Sequence, residues 1–165
     1  MSCSWVAVWT RSRHEKSVRD DLASRSLEVF LPLLEMPSRR KDRRKTVDLP
    51  VFPGYLFVNL TSPDSPHVVT STRGVVRILG PSATEYSIVP EGQVNAVRTM
   101  VESRLRIDPF PYLKTGAIVR VKVGPLMGLE GVLIEKRTHC RLVVSVDLLG
   151  QAISTEISAE QVEAV

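Results

Sequence analysis

The chain has 165 residues, 43% of them hydrophobic, and its 22 basic and 18 acidic residues leave a net charge of +4 at pH 7. This length suits one ordinary domain or two small ones, and the apolar content excludes a globally disordered chain. No apolar stretch approaches the roughly 20 residues that span a bilayer, and the distant pair Cys3 and Cys140 predicts neither a disulfide framework nor a metal site, so we expect a cytoplasmic protein without cofactor.

The first part of the chain predicts strands alternating with helices. Residues 5–9 form an apolar run of β-forming residues, and Ser12 with Glu15 matches a capping box at the start of a helix over residues 13–26. Residues 35–50 are polar and basic, as in a protruding loop or a long hairpin. Further strands are expected at 29–31, 55–60 and 75–79, a short helix near 66–70, and a longer helix from 91 to about 105. This mixed order predicts an α+β domain, an antiparallel sheet flanked by helices.

The later part of the chain predicts a different architecture. Residues 107–114 contain prolines and no periodicity, which is typical of a short semi-rigid linker. Several short strands then follow in about fifty residues, which predicts a small β-barrel. These strands are expected at 118–123, 131–136, 142–148 and 153–157. The predicted organisation is an N-terminal domain over 1–106, a linker over 107–114 and a barrel over 115–165.

Two motifs carry information beyond packing. The run PVFPGYLFV at residues 50–58 places Phe52, Tyr55 and Phe57 around a Pro-Gly turn that leads into an apolar strand. Residues 121–132 form a strand, a Gly-Pro turn and a Gly-x-x-Gly return, which suits a tight barrel hairpin. With WVAVWT at 5–10 and TRGV at 72–75, these runs resemble, in the same order and over nearly the whole chain, the NusG family of transcription elongation factors.

The resemblance implies an N-terminal domain of the NGN type joined to an SH3-like barrel of the KOW type. It also implies a transcription elongation or antitermination factor. In that role, the N-terminal domain binds the clamp of bacterial RNA polymerase and suppresses pausing, while the barrel recruits a second partner. The positions that match the family's clamp-binding pocket are Trp9, Phe52, Pro53, Tyr55 and Phe57. Because neighbours on a strand face opposite sides, some of these rings must belong to the core instead.

Two further surfaces follow from the resemblance. The family's contact with the opposite side of the polymerase cleft matches His67, Thr70 and Arg73. The family's surface toward the single-stranded non-template DNA matches a basic set consisting of Arg11, Arg13, Lys16, Arg39, Arg40, Arg43 and Arg44. A basic stripe favours backbone tracking over base reading. The run at 39–45 is also compatible with a solvated loop tip that keeps a hairpin from pairing with other chains.

The barrel departs from the housekeeping pattern of the family. Leu148, Leu149 and Gln151 occupy the loop that presents a Phe and an Arg to the termination factor Rho and to a ribosomal protein. Loss of the ring and the charge argues against Rho and favours a specialised paralogue of the RfaH, LoaP or UpxY kind. The ribosomal protein stays open as a partner. The β-branched alternation at 118–123 and 143–146 predicts a free barrel without a stored helical form.

Other function classes fit the sequence less well. An enzyme is not expected, because His139 and Cys140 are chain neighbours at a predicted turn and no paired carboxylates or phosphate-binding glycines occur. A ribosome-associated or other KOW-type RNA-binding protein remains the alternative. The Phe-Pro-Gly-Tyr strand argues against it, because that strand does not interleave aromatic and basic residues for base stacking. We expect a monomer that does not contact membranes.

Overall fold

The computed structural model describes residues 3–38, 45–112, 116–135 and 137–165. The chain divides between Glu91 and Gly92 into two compact units. The sequence instead groups everything up to residue 106 in the first domain, and those domain bounds stay a prediction. Within the described ranges, no helix is long and apolar enough to cross a membrane.

The first unit contains a central sheet and a separate hairpin. In chain order its elements are β1 (Ser4–Thr10), α1 (Glu15–Ser24), β2 (Glu28–Phe30), β3 (Leu33–Pro37), β4 (Thr46–Pro50), β5 (Tyr55–Leu60), α2 (Ser65–Thr70) and β6 (Val75–Ile78). The sheet has the order β2-β5-β1-β6, and all of its neighbours are antiparallel. Strands β3 and β4 pair only with each other among the described residues, so the predicted protrusion is a two-stranded hairpin.

One face of the sheet is covered by the core of the first unit. Val6 and Val8 of β1 alternate with residues of the other face, as a strand requires, and pack in a cluster with residues of α1 and α2. The fully or nearly buried members of this cluster are Val6, Val8, Val18, Leu22, Leu31, Leu56, Val58, Val69 and Ile78. The thin apolar stripe of α1 is therefore sufficient, because only Val18 and Leu22 need to reach the sheet.

The start of α1 differs from the predicted capping box. Arg13 has a φ of +64°, which a right-handed helix does not allow, so the helix cannot begin before His14. His14 occupies the N-cap position and makes no side-chain cap bond. The capping-box prediction for Ser12 and Glu15 is wrong, because the Glu15 carboxylate is committed to a distant turn of the chain.

The second unit is dominated by strands. Its elements are α3 (Glu91–Glu102), β7 (Asp108–Phe110), β8 (Ala117–Val121), β9 (Glu130–Glu135), β10 (Cys140–Val146), β11 (Gln151–Ile157) and β12 (Val162–Ala164). The first residue of α3, Glu91, still belongs to the first unit. The strands form one antiparallel sheet in the order β12-β8-β9-β10-β11-β7. The predicted fold class is confirmed: antiparallel sheets with helices, followed by a sheet consistent with a small barrel of the KOW type.

Two details of the second unit differ from the predictions. Helix α3 ends at Glu102 rather than near 105, and Arg104 follows with a φ of +60°. Part of the predicted linker is the edge strand β7, which pairs with β11. The reason is a side-chain anchor: the Asp108 carboxylate accepts a hydrogen bond from Arg141 at 2.7 Å. The Arg141 guanidinium and nearby Arg106 lower the pKa of Asp108, and the hydrogen bond from Arg141 is the larger cause.

Candidate partner-binding surface

An aromatic and basic row crosses the face of the first sheet that lies opposite the core cluster. Trp9 of β1 is paired with Tyr55 of β5 on one side and with Arg77 of β6 on the other. Residues paired across strands share a face, so these three side chains lie on the same side of the sheet. Trp9 is 43% exposed. Tyr55 is half-buried and Arg77 is exposed. We call Tyr55, Trp9 and Arg77 the Trp9 row.

The Pro-Gly turn beside Trp9 is held from two directions. The Gly54 carbonyl accepts the Thr10 N–H at 2.8 Å, and the Gly54 N–H donates to Glu15 Oε1 at 2.8 Å. Gly54 has a φ of +84°, and a Cβ there would lie 3.8 Å from Cδ1 of Trp9. The indole ring is therefore seated next to a fixed turn. Pro53, which precedes Gly54 in this turn, is exposed.

Two of the predicted clamp-binding rings lie in the interior. Phe52 and Phe57 are 1% and 0% exposed, and their rings meet edge to face with centroids 6.2 Å apart. Phe57 also stacks on Phe30 at 6.1 Å. Phe57 lies on the same face of β5 as Tyr55, two residues earlier, but both phenylalanine rings are covered, so the expectation of direct partner contact is corrected for them. Of the five predicted residues, the accessible ones are Trp9, Pro53 and Tyr55.

The residues predicted for the opposite side of the cleft lie on the surface. His67 and Thr70 are exposed on α2, and the Thr70 hydroxyl donates to backbone carbonyls of its own helix. Arg73 is exposed at the turn before β6. The next residue, Gly74, accepts the Arg11 N–H at 2.8 Å, which brings this turn to the corner between β1 and α1.

The structure describes three of the seven residues of the predicted basic stripe. Arg11, Arg13 and Lys16 are all exposed at the corner between β1 and α1. The other predicted members, Arg39, Arg40, Arg43 and Arg44, lie outside the described residues. The described part is thus a basic corner next to the Arg73 turn.

The predicted partner loop of the barrel is anchored by a residue that the sequence did not single out. Leu148, Leu149 and Gln151 are half-buried around a 3-10 turn at Asp147–Leu149. The Asp147 carboxylate accepts from the Tyr112 hydroxyl at 2.9 Å and from Gln93 Nε2 at 2.8 Å. The hydrogen bond to Asp147 raises the pKa of Tyr112. These contacts fix one end of the loop, and only an acidic residue directly before Leu148 hinted at them.

The sequence also did not identify Glu15 and Arg77 as residues of this surface. Glu15 matched a local capping pattern, so its long-range bond to Gly54 was hidden. Arg77 joins the row only through the register between β1 and β6, which the sequence does not specify.

Comparison with known proteins decides the family. A family model described as transcription termination factor nusG matches residues 3–98, more than half of the chain. The chain belongs to the NusG family. It is 30% identical over 173 residues to the transcription termination/antitermination protein NusG of Staphylococcus aureus, covering 96% of this chain and 94% of that protein. It is 26% identical over 177 residues to NusG of Pseudomonas aeruginosa, covering all of both chains.

A solved structure supports the same fold. The structure described as "Domain interaction in Thermotoga maritima NusG" matches with a TM-score of 0.58 at 18% identity, covering 100% of this chain and 98% of that one. The family predicted from the sequence is confirmed, and the protein is a NusG-family transcription termination/antitermination factor. The matched segment 3–98 contains the whole Trp9 row. Assignment to a specialised paralogue stays a prediction.

Proposed function

We propose that this NusG-family protein binds the clamp of RNA polymerase through Trp9, Pro53 and Tyr55, and that this contact suppresses pausing or termination. The supporting observation is the 43% exposure of Trp9 in a row with Tyr55 and Arg77. Trp, Tyr and Arg are the residues most enriched among those that dominate binding energy at interfaces. The exposed indole and the half-buried tyrosine each combine an apolar ring with a polar group, which is the combination enriched at protein interfaces.

The support of the row also favours binding. The Gly54 turn is tied to β1 through Thr10 and to α1 through Glu15, so Trp9 is seated before a partner arrives. A preorganised anchor loses less conformational entropy on association than a mobile one. Phe52 and Phe57 contribute here as buried supports of the same strand and turn.

The remaining surfaces complete the proposal. His67, Thr70 and Arg73 would face the opposite side of the cleft. Arg11, Arg13 and Lys16 would lie toward the non-template DNA as phosphate contacts. The barrel would recruit a second protein through Leu148, Leu149 and Gln151, with a ribosomal protein as the candidate and Rho disfavoured. This activity places the protein in the cytoplasm with the polymerase.

The test is binding of the full chain to RNA polymerase core enzyme. We expect Trp9→Ala and Tyr55→Ala each to weaken binding at least tenfold, which corresponds to about 1.4 kcal/mol. The matched control is Ile118→Ala, because Ile118 is a 57% exposed apolar residue on β8 of the second unit and does not belong to the Trp9 row. Its affinity should stay within about twofold of the parent. Phe57→Ala is not informative, since emptying this buried site costs about 3–5 kcal/mol of stability.

Equal binding by the parent, Trp9→Ala and Tyr55→Ala would refute the clamp contact. Retention of ribosomal RNA instead of polymerase, lost steeply as salt rises, would favour the RNA-binding alternative. The salt dependence distinguishes polymerase binding from RNA binding, because the affinity of an apolar aromatic contact changes little with salt concentration.

A further inference from the structure

The hairpin formed by β3 and β4 has one apolar face. Leu34 is paired with Leu49, and Met36 with Val47, so these four side chains lie on the same side of the ribbon. Met36, Val47 and Leu49 are 46%, 39% and 48% exposed, and Leu34 is half-buried. We call Leu34, Met36, Val47 and Leu49 the apolar ribbon face.

This face points away from the core of its own unit. Leu33 packs against the core cluster, and the next residue of a strand faces the other way. An isolated two-stranded ribbon is marginal in water, and polar residues on a wet face would protect it from unwanted association. Within the described part of the chain, the apolar choice therefore has no explanation in the ribbon's own packing.

The size and position of the face indicate its occupant. Four side chains, each about half exposed or less, offer far less than the ~800 Å² per partner of a stable interface. A second copy of the chain held by this face alone would not remain bound, whereas a partner already held elsewhere would gain from it. The base of the hairpin leads directly to the Trp9 row: the Val51 N–H donates to the Pro32 carbonyl at 2.9 Å, and Tyr55 follows four residues later.

The chemistry of the ribbon favours a protein over a nucleic acid. The apolar face carries no donor or cation for phosphate. On the reverse face, Glu35 and Asp48 are paired across the strands and both are exposed. Two carboxylates opposite each other repel phosphate and also weaken the strand pair.

We propose that the apolar ribbon face docks on an apolar protein surface of the same assembly that the Trp9 row binds. The inference rests on the proposed function, because it needs the assembly to be held first through the row. The ribbon then acts as a second, weaker contact whose effect comes from its short connection to the first.

The test uses the full chain and RNA polymerase, both free and assembled on a DNA–RNA scaffold. The double variant Met36→Thr/Leu49→Thr keeps β-forming residues and removes the apolar contact. We expect it to bind about tenfold more weakly in both settings, with little dependence on salt. Val47→Thr, which keeps the shape of the side chain, should lose about threefold. The matched control Glu35→Gln/Asp48→Asn changes the reverse face and should stay within about twofold of the parent.

Each other outcome overturns the proposal in a distinct way. Unchanged binding by both apolar variants, with Trp9→Ala still defective, removes the ribbon contact and leaves the proposed function intact. If the double variant loses affinity only for the scaffold-bound polymerase, and the loss grows as the salt concentration falls, the ribbon contacts nucleic acid. A concentration-dependent dimer that the double variant abolishes assigns it to a second copy. Failure of the parent to bind polymerase at all refutes both the proposed function and this inference.

Discussion

Replacing Glu15 by Ala tests whether one side chain joins the first helix to the Pro-Gly turn. Glu15 is only 6% exposed, and its Oε1 accepts the Gly54 N–H at 2.8 Å. A hydrogen bond to a charged group contributes about 1.5–3 kcal/mol, and its loss leaves the Gly54 N–H without that acceptor. We therefore expect Glu15→Ala to lower the free energy of unfolding of the first unit by about 2 kcal/mol. Glu15→Gln keeps an oxygen acceptor without the charge and should lose about half as much.

The protein offers a selective assay for this effect. Its two tryptophans, Trp5 and Trp9, both lie in the first unit, so indole fluorescence during urea unfolding reports on that unit. With a urea dependence of about 1–2 kcal/mol per molar, the midpoint should fall by about 1–2 M. The matched control is Asp64→Ala, because Asp64 is an exposed acid at the N-cap of α2 whose side chain makes no cap bond.

One outcome would contradict the role of the bond between Glu15 and Gly54. If Glu15→Ala and Asp64→Ala shift the midpoint by the same amount, the common effect is the interaction of an acid with a helix N-terminus, worth about 0.3–1 kcal/mol. The bond to Gly54 would then contribute nothing measurable, and the turn beside Trp9 would need another support.

Two further predictions concern Gly74 and Asp108. Gly74 has a φ of +96°, and a Cβ would lie 3.0 Å from Val18 Cγ2 and 3.1 Å from His14 Cβ, so Gly74→Ala should cost about 2 kcal/mol or more and lower the same fluorescence midpoint. An unchanged midpoint would contradict it. Arg141 lowers the pKa of Asp108 below 3.8, so its contribution to stability is present above that value and lost as pH falls through the folded pKa. Far-UV circular dichroism during urea unfolding should therefore show Asp108→Asn less stable than the parent at about pH 6, with the difference shrinking as the pH falls below 3.8 and through the folded pKa. A difference that stays constant with pH would contradict this.

Local patterns were sufficient for most of the elements and for the family. The apolar run at 5–9 and the spacing of Val94 and Val97 gave a strand and a helix, because periodicity reports directly on burial. The run PVFPGYLFV correctly indicated an aromatic surface at the Pro-Gly turn, where Tyr55 follows Gly54. What these signals share is that they depend on neighbours in the chain.

The faces of β5 could not be predicted for a physical reason. Leu56, Phe57 and Val58 are all 0% exposed, so both faces of this strand are covered. Alternation then places Phe57 opposite Leu56 without showing that either side is wet. The sequence therefore could not separate the buried Phe57 from the accessible Tyr55 two residues earlier.

The apolar ribbon face was hidden by composition. Leu34 and Met36, and again Val47 and Leu49, alternate with Glu35 and Asp48, which is the period-two signal of a half-buried strand. The basic run that follows Pro37 dominated the interpretation of residues 35–50 as polar. Two apolar residues on each strand are too few to predict a surface. The face is recognisable only once the register between β3 and β4 is known, because that register places the four side chains together.

The burial of Phe52 and Phe57 strengthens the argument for a binding surface. The segment between the hairpin and β5 is restrained at Val51 by Pro32, at Gly54 by Thr10 and Glu15, and at Tyr55 by a bond from its N–H to the Phe52 carbonyl. Two small exposed patches connected by such a restrained segment present themselves to a partner at high effective concentration. Neither patch alone reaches the area of a stable interface. Phe52 lies within this segment and packs against Phe57 of β5, so we expect that emptying either ring site disturbs the connection between the two patches.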